Sequence, residues 1–221
     1  MATMLAIETS ADACSIALLR EGEMLERHEI LPKSHTQHIL PMVDALLADA
    51  GVQLRQLDGI AFGRGPGSFT GLRVCASVVQ GLALAADLPC IPVSSLQALA
   101  QTALSRWQMR EGDEIACCID ARMDEIYWSR YRVGNGAVEV LDEEHLSAPE
   151  AVVIGENVRF IVGSGLNYAD RLVGLRGTQD ADLLARASAV AEIGAHELSA
   201  GRVVSAEQAL PLYLRDNVAW R

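Results

Sequence analysis

The sequence is short of aromatic residues and of positive charge. Phe, Trp and Tyr make up 5% of its 221 residues, and most of the 50% that is hydrophobic is Ala, Leu and Val. Such a composition favours helices packed closely on sheets. Lys and Arg number 18 against 29 Asp and Glu, which gives a net charge of −11. Because nucleic-acid affinity comes mostly from cations that meet phosphates, we expect the isolated chain to bind nucleic acid weakly.

The cysteines indicate neither a disulfide framework nor a zinc site. There are five, an odd number, and no pair has the C-x-x-C spacing. We therefore expect a reducing, cytoplasmic compartment. No basic region precedes an apolar stretch near Met1, so no signal peptide is predicted. The longest apolar segment, residues 74–86, contains Gln80 and is predicted to be too short to span a bilayer.

Glycine is concentrated in one stretch, Gly63 to Arg73. It follows an apolar run at residues 59–62, which predicts a buried strand, and precedes residues 74–86, which predict a buried helix. Ser68 is a natural N-cap for that helix. A glycine-rich approach to a helix N-terminus suits an anion, but the lysine of the G-x-x-x-x-G-K-[ST] phosphate loop is missing. Two interpretations stay open, a tight turn that binds nothing and an anion-binding turn.

The order of predicted elements is repeated along the chain. Three short strands joined by tight turns come first, followed by helix, strand, helix, strand and helix; a second, looser copy begins after the polar residues 107–112. In that copy a helix is predicted to start at Asp180 or Asp182. We predict an α/β protein with two subdomains, residues 1–106 and 107–221, each with a mixed sheet flanked by helices.

This order resembles the actin-like ATPase (ASKHA, RNase H-like) fold of sugar kinases and acetate kinase. Three motifs narrow the resemblance: residues 5–10 read LAIETS, residues 65–73 read GPGSFTGLR, and residues 211–215 read PLYLR. Each motif alone is weak. In combination they are similar to the tRNA threonylcarbamoyladenosine proteins, and in particular to the TsaB (YeaZ) branch. The motifs lie near both ends, so the resemblance covers the whole chain.

The resemblance implies a non-catalytic subunit of the complex that forms threonylcarbamoyladenosine next to the anticodon of tRNAs reading codons that start with A. Such a subunit binds and activates a TsaD-type catalytic subunit. A TsaE-type ATPase joins them, and the non-catalytic subunit contacts tRNA only as part of the complex. The sequence leaves open whether the free chain forms a homodimer. A stand-alone kinase or ATPase of the same fold and a peptidase are the alternatives.

The catalytic branch of the family carries a His-x-Glu-Gly-His metal motif. Here Ser95 and Leu99 stand where the two histidines would be. Leucine has no lone pair for a metal and serine alone is a poor ligand, so neither a catalytic residue nor a metal is expected. His35 and His38 lack a matching carboxylate and are interpreted as surface or interface histidines. Ser68 does not lie in G-x-S-x-G and has no paired base, which disfavours a peptidase.

Four residues are candidates for contact with a nucleotide: Thr9, Ser10, Gly65 and Gly67. In the actin-like fold the first hairpin and the glycine turns hold phosphates. With no lysine nearby, no cofactor is expected on the chain alone. The resemblance implies ATP or ADP at the interface with the catalytic partner.

Two helices are predicted to form the partner interface, the one from Ser34 to Ala50 and the one from Ser68 to Ala86. The second is apolar on nearly every face, which is typical of a helix covered on all sides. A sheet covers one side, and either the first helix or a partner subunit covers the other. The resemblance favours a partner subunit, and the interface residues predicted on these helices are His38, Met42, Leu46, Leu72, Val79 and Leu82.

A charged cluster at residues 120–125 lies between two predicted strands of the second copy. Its Asp120-Ala121-Arg122 sequence predicts a turn with an Asp–Arg pair. Contact with a nucleotide or a partner is the alternative for this turn.

Overall fold

The computed structural model describes residues 2–107 and 109–215. The chain forms two compact units. The first consists of Met1–Ala98 with Ala185–Pro211, and the second of Leu99–Leu184 with Leu212–Arg221. This grouping differs from the predicted division at residue 106, because a late segment of the chain returns to the first unit.

The sheet of the first unit begins as an antiparallel meander and continues with parallel strands. Its strands are β1 (Met4–Glu8), β2 (Ala13–Arg20), β3 (Glu23–Ile30), β4 (Gly59–Gly65) and β5 (Cys90–Ser94). The order across the sheet is β3-β2-β1-β4-β5, with β4 parallel to β1 and β5 parallel to β4. All five residues of the central strand β1 are buried, which explains its continuous apolar run.

The helices that accompany these strands are α1 (His35–Asp49), α2 (Phe69–Ala86) and α4 (Ala187–Ser199). Helix α3 (Ser95–Arg106) begins in the first unit and has most of its residues in the second. Helices α1 and α2 pack on each other and on the first sheet. Helix α4 packs on strands β1, β2, β4 and β5 of the same sheet, which explains the return of the late segment. A Cβ at Gly194 would lie 2.6 Å from Ala61 Cβ and 2.9 Å from Met4 Sδ, so glycine lets α4 approach closely. The predicted helix start at Asp180 or Asp182 is wrong.

The sheet of the second unit repeats the order of the first. Its strands are β6 (Glu114–Arg122), β7 (Glu125–Gly134), β8 (Ala137–Val140), β9 (His145–Ser147), β10 (Val158–Val162) and β11 (Thr178–Asp180). The order is β11-β10-β6-β7-β8, and β9 also pairs with β7. Again an antiparallel meander, β6-β7-β8, is extended by two parallel strands. The predicted actin-like fold with two mixed sheets is confirmed.

By length and composition, α2 is the one helix among residues 2–107 and 109–215 that could cross a membrane. It begins at Phe69, well before the apolar segment that the sequence singled out, so its 18 residues are not excluded by length. Helices that pack in a protein core pass the same test. Cys75, Val79 and Ala83 of α2 belong to the core of the first unit.

Candidate functional site

Glu8 ends the central strand β1 with a buried carboxyl group that is only 2% exposed. The amide of Ser10 donates to its Oε1 at 2.5 Å, and Ser95 Oγ donates to its Oε2 at 2.9 Å. Burial raises the pKa of the Glu8 carboxyl, and the hydrogen bonds from Ser10 and Ser95 offset part of that rise. The Glu8 carboxyl group therefore binds a proton more tightly in the folded chain than an exposed carboxyl group does.

The glycine-rich stretch packs directly against this carboxyl group. A Cβ at Gly63 would lie 2.0 Å from Glu8 Oε2, so no larger residue fits there without displacing the carboxylate. Glu8 thus meets strand β4 on one side and the first residue of α3, Ser95, on another. Glu8 was not among the site residues predicted from the sequence. The signal was present, since it is the one charged residue of an otherwise apolar buried strand.

The turn after β1 fills the space beside the glycine stretch. Ser68 N donates to Ser10 O at 2.7 Å, and Thr9 Oγ1 donates to Gly71 O at 2.9 Å. A Cβ at Gly67 would lie 2.5 Å from Ser10 O, and one at Gly71 would lie 2.0 Å from Thr9 O. The glycines therefore permit close packing of two turns. Ser68 Oγ accepts from Gly71 N at 3.4 Å, which confirms Ser68 as the N-cap of α2.

The structure brings the predicted nucleotide residues together in a packed joint. Thr9 is 0% and Ser10 4% exposed, and Gly67 lies against Ser10. Gly65 is the last residue of β4, with a φ of +102° that favours glycine. A phosphate at this joint would have to compete with the bonds that Thr9 and Ser10 already make. Nucleotide contact stays a prediction.

The two positions of the metal motif are occupied by groups with other contacts. Ser95 is 0% exposed and bonded to Glu8, and Leu99 is 2% exposed. In the part of the chain that the structure describes, no three His, Cys, Asp or Glu side chains are grouped to hold a metal. His35 Nε2 lies 2.8 Å from Ala11 O, and His38 Nδ1 lies 2.9 Å from Ser34 O. His35 is only 7% exposed in this chain alone, so its interpretation as a surface or interface histidine is wrong.

Four of the six predicted interface residues are core residues of this chain. Met42 is 7%, Leu46 3%, Leu72 3% and Val79 0% exposed, so a partner cannot cover them. His38 and Leu82 are half-buried. The physical reason is that α1 and α2 pack on each other and on the first sheet. Residues from late in the chain also cover α2: Gln80 Nε2 donates to Ala209 O at 3.2 Å, and Ala209 belongs to the same core.

An apolar stripe remains on the outer face of α2. Leu84 is 72% exposed, Gly81 is exposed with nothing within 4 Å of a Cβ built there, and Val74 and Val78 are half-buried. Their helical spacing puts Val74, Val78 and Gly81 on one face. On α1, Leu40 is 46% exposed. We name Val74, Val78, Gly81 and Leu84 of α2 the outer helix face.

In the second unit, the charged cluster forms the turn between β6 and β7. Arg122 Nη1 lies 3.3 Å from Asp120 Oδ2, which confirms the predicted Asp–Arg pair. Arg122, Met123 and Asp124 all have positive φ, between 57° and 61°, a strained conformation for non-glycine residues. Arg215, from the PLYLR motif, donates to Ala121 O at 3.2 Å and Arg122 O at 3.3 Å and pairs with Glu125. The tail motif therefore holds the strained turn.

Comparison with known proteins places the chain in a family. Residues 28–168 match the family model described as "TsaD: tRNA N6-adenosine threonylcarbamoyltransferase". The tRNA threonylcarbamoyladenosine biosynthesis protein TsaB of Haemophilus influenzae is 39% identical over 99% of this chain and 96% of its own length. The protein of that name from Escherichia coli is 40% identical over the same shares. The chain belongs to the TsaB (YeaZ) family.

The TsaB family assignment agrees with solved structures. The structure described as "YeaZ from Pseudomonas aeruginosa" is 42% identical, covers 97% of this chain and 100% of its own, and superposes with a TM-score of 0.91. A second Pseudomonas aeruginosa structure, described as similar to "peptidase YEAZ", gives 43% identity and a TM-score of 0.92. The resemblance found in the three sequence motifs is confirmed.

Proposed function

We propose that this TsaB-family chain is a non-catalytic subunit in the biosynthesis of threonylcarbamoyladenosine in tRNA. The main support is that two TsaB proteins are 39% and 40% identical to this chain over nearly their full length. The bonded Ser95 and the buried Leu99 support the non-catalytic role, because neither offers a metal the ligands of a catalytic His-x-Glu-Gly-His motif. The chain acts in the cytoplasm, where its five free cysteines stay reduced.

The partner is a TsaD-type catalytic subunit, which this chain binds and holds in an active conformation. The contact surface is the outer helix face, since Leu84 is 72% exposed and the core of the first unit covers Val74 and Val78 only in part. A TsaE-type ATPase joins the pair, and ATP or ADP binds at the joint rather than to this chain alone. The packed Thr9 and Ser10 support the last point, because their polar groups already have partners.

Co-purification with the TsaD-type homologue from the same cells tests the proposal. We expect a stable complex, threonylcarbamoyladenosine formation only when both proteins are present, and no stoichiometric metal in the isolated chain. ATP turnover or peptide cleavage by the isolated chain would instead support the kinase or peptidase alternative. Full modification activity by the homologue alone would show that this chain is not needed.

A further inference from the structure

The second unit contains a cleft of about 480 Å³ beside the amino-terminal ends of β10 and β11. Arg110, from the segment before β6, lines it together with Arg159 and Phe160 of β10. Gly177 and Thr178, at the start of β11, close it from the edge of the sheet. None of the sequence motifs falls in this cleft, and the site around Glu8 does not include it.

Asp113 holds the backbone of Arg110 and lies beside the guanidinium of Arg159. Asp113 Oδ2 accepts from Arg110 N at 2.8 Å, and Asp113 Oδ1 lies 3.5 Å from Arg159 Nη1. The Asp113 side chain is only 12% exposed, so it orients its neighbours more than it faces solvent. Gly177 has a φ of +85°, and a Cβ there would lie 2.3 Å from Arg159 O. Glycine therefore allows the edge loop to close on the backbone of β10.

Cationic groups are left available at the mouth of the cleft. The Arg159 side chain is 68% exposed, although one of its guanidinium nitrogens lies 3.5 Å from Asp113 Oδ1. Arg110 is exposed, and its guanidinium has no acidic partner in the described ranges. Arg176, directly before Gly177, is also exposed and unpaired there. Arg110 and Arg176 therefore have guanidinium groups free to bind a phosphate, which the planar fork of arginine can do through two hydrogen bonds.

One aromatic ring lines the cleft and a second lies next to it. The rings of Trp107 and Phe160 lie 5.8 Å apart, and the Arg106 guanidinium lies 5.4 Å from the Trp107 ring. Phe160 is one of the residues that line the cleft. Grooves that track a single nucleic-acid strand combine a positive wall with aromatic rings on which bases stack. Small phosphorylated metabolites are held instead in enclosed sites that bury most of the ligand.

We propose that this cleft binds the sugar-phosphate backbone of RNA. The proposal rests on the proposed function, which brings the chain to tRNA within a complex. The residues that line the cleft include two arginines and one carboxylate, Asp113, so the cleft is a local exception to the net charge of −11 and adds to an RNA site that the partner provides. It therefore contributes to the affinity of the complex while the isolated chain still binds weakly.

The test uses the complex with the TsaD-type homologue and measures tRNA binding from low to moderate salt. The double variant Arg110→Ala and Arg159→Ala should weaken binding about tenfold at low salt, and the slope of log affinity against log salt should fall by about 1.4 to 1.8. Arg55→Ala removes an exposed charge from the first unit and is the control. Unchanged circular dichroism shows that the variants fold.

Three results would overturn the proposal. The double variant could keep the affinity and the salt slope of the wild type. Each single cleft variant could weaken binding no more than Arg55→Ala does, which would show an effect of total charge only. Inorganic phosphate could occupy the cleft without competing with tRNA, which would make it a small-anion site. Co-elution with the homologue is read separately, so a failed cleft and a failed proposed function are distinguishable.

Discussion

The Glu8 side chain is buried, and a negative charge there costs free energy because it is removed from water. Its buried position raises its pKa, and the Ser10 amide and Ser95 hydroxyl compensate only in part. The stability that the protonated form provides is fully present below the ordinary pKa of 4.5 and is lost as pH rises through the higher pKa of the folded state. Glu8 therefore destabilises the first unit progressively toward alkaline pH.

We predict that Glu8→Gln removes this pH dependence. Glutamine has nearly the same shape and no charge to bury, so the variant should gain stability relative to the wild type as pH rises from 4.5 to 8. Urea unfolding at several pH values measures the difference. Glu23→Gln, at an exposed residue of β3, controls for the loss of one negative charge. A constant difference between Glu8→Gln and the wild type across this range would contradict the prediction.

The glycines near Glu8 show what a sequence reveals at the residue scale. Their clustering correctly predicted a strand-to-helix turn with Ser68 as the cap. It suggested an anion site because glycine also lines phosphate loops. The structure shows Gly63 against Glu8 and Gly67 against Ser10, and anion binding there stays a prediction. The residues that a glycine must accommodate are distant in sequence, so local pattern could not choose between the two interpretations.

Among the elements, α2 shows the limit of helical periodicity. The pattern correctly indicated that α2 is apolar on most faces, but it cannot tell which other segment covers each face. Residues 206–209 cover part of it from the far end of the chain, and Leu72 and Val79 are core residues, as are Met42 and Leu46 of α1. Only the exposed fractions of the side chains in the folded chain identify the outer helix face.

We predict opposite effects of a new carboxylate on the two faces of α2. Leu84→Glu should leave circular dichroism and melting nearly unchanged, because Leu84 is 72% exposed. In a dry interface the unpaired charge should weaken binding to the TsaD-type partner on the order of a thousandfold. Val79→Glu should unfold the protein, because Val79 is 0% exposed. Wild-type binding by Leu84→Glu would place the interface elsewhere.

Helix α4 is capped by residues from the sheet on which it lies. Its N-cap residue, Arg186, offers no side-chain cap, so Ser15 Oγ of β2 accepts from Ala187 N at 2.9 Å. Glu26 Oε1 of β3 accepts from Ser188 N at 2.9 Å, and Arg186 lies 2.7 Å from Oε2. Burial raises the pKa of Glu26, but the hydrogen bonds from Ser188 and Arg186 outweigh it and lower the pKa overall. This negative group also stabilises the positive end of the helix dipole.

We predict that Glu26→Gln costs about 1–3 kcal/mol of unfolding free energy at neutral pH. Because the pKa of Glu26 is lowered on folding, its contribution is present above the ordinary pKa of 4.5 and is lost as pH falls through the folded-state value. The variant and the wild type should therefore converge in acid. Urea unfolding at pH 7 and in mild acid measures this, and a difference that persists or grows in acid would contradict it.

For the whole molecule, the sequence predicted the repeated architecture but not the path of the chain. Strand patterns and tight turns identified both meanders, and the repeat of helix and strand predicted two mixed sheets. The strands β9 and β11 have three residues each, too few for a periodic pattern, and were missed. The return of α4 to the first sheet was missed because periodicity identifies a helix but not the sheet it packs on.

The charge of the whole molecule leads to a last prediction, that the isolated chain binds tRNA with an affinity weaker than micromolar at moderate salt. The net charge of −11 repels a polyanion over distances near the Debye length, about 10 Å at 0.1 M salt, while the arginine cleft of the second unit attracts it only locally. A filter-binding assay with the chain alone and with the TsaD-type complex measures both. The complex should bind tRNA more tightly, because the partner supplies the remaining phosphate contacts. Micromolar binding by the chain alone would mean that its arginines outweigh its net charge, and the partner would then not be needed to bring it to tRNA.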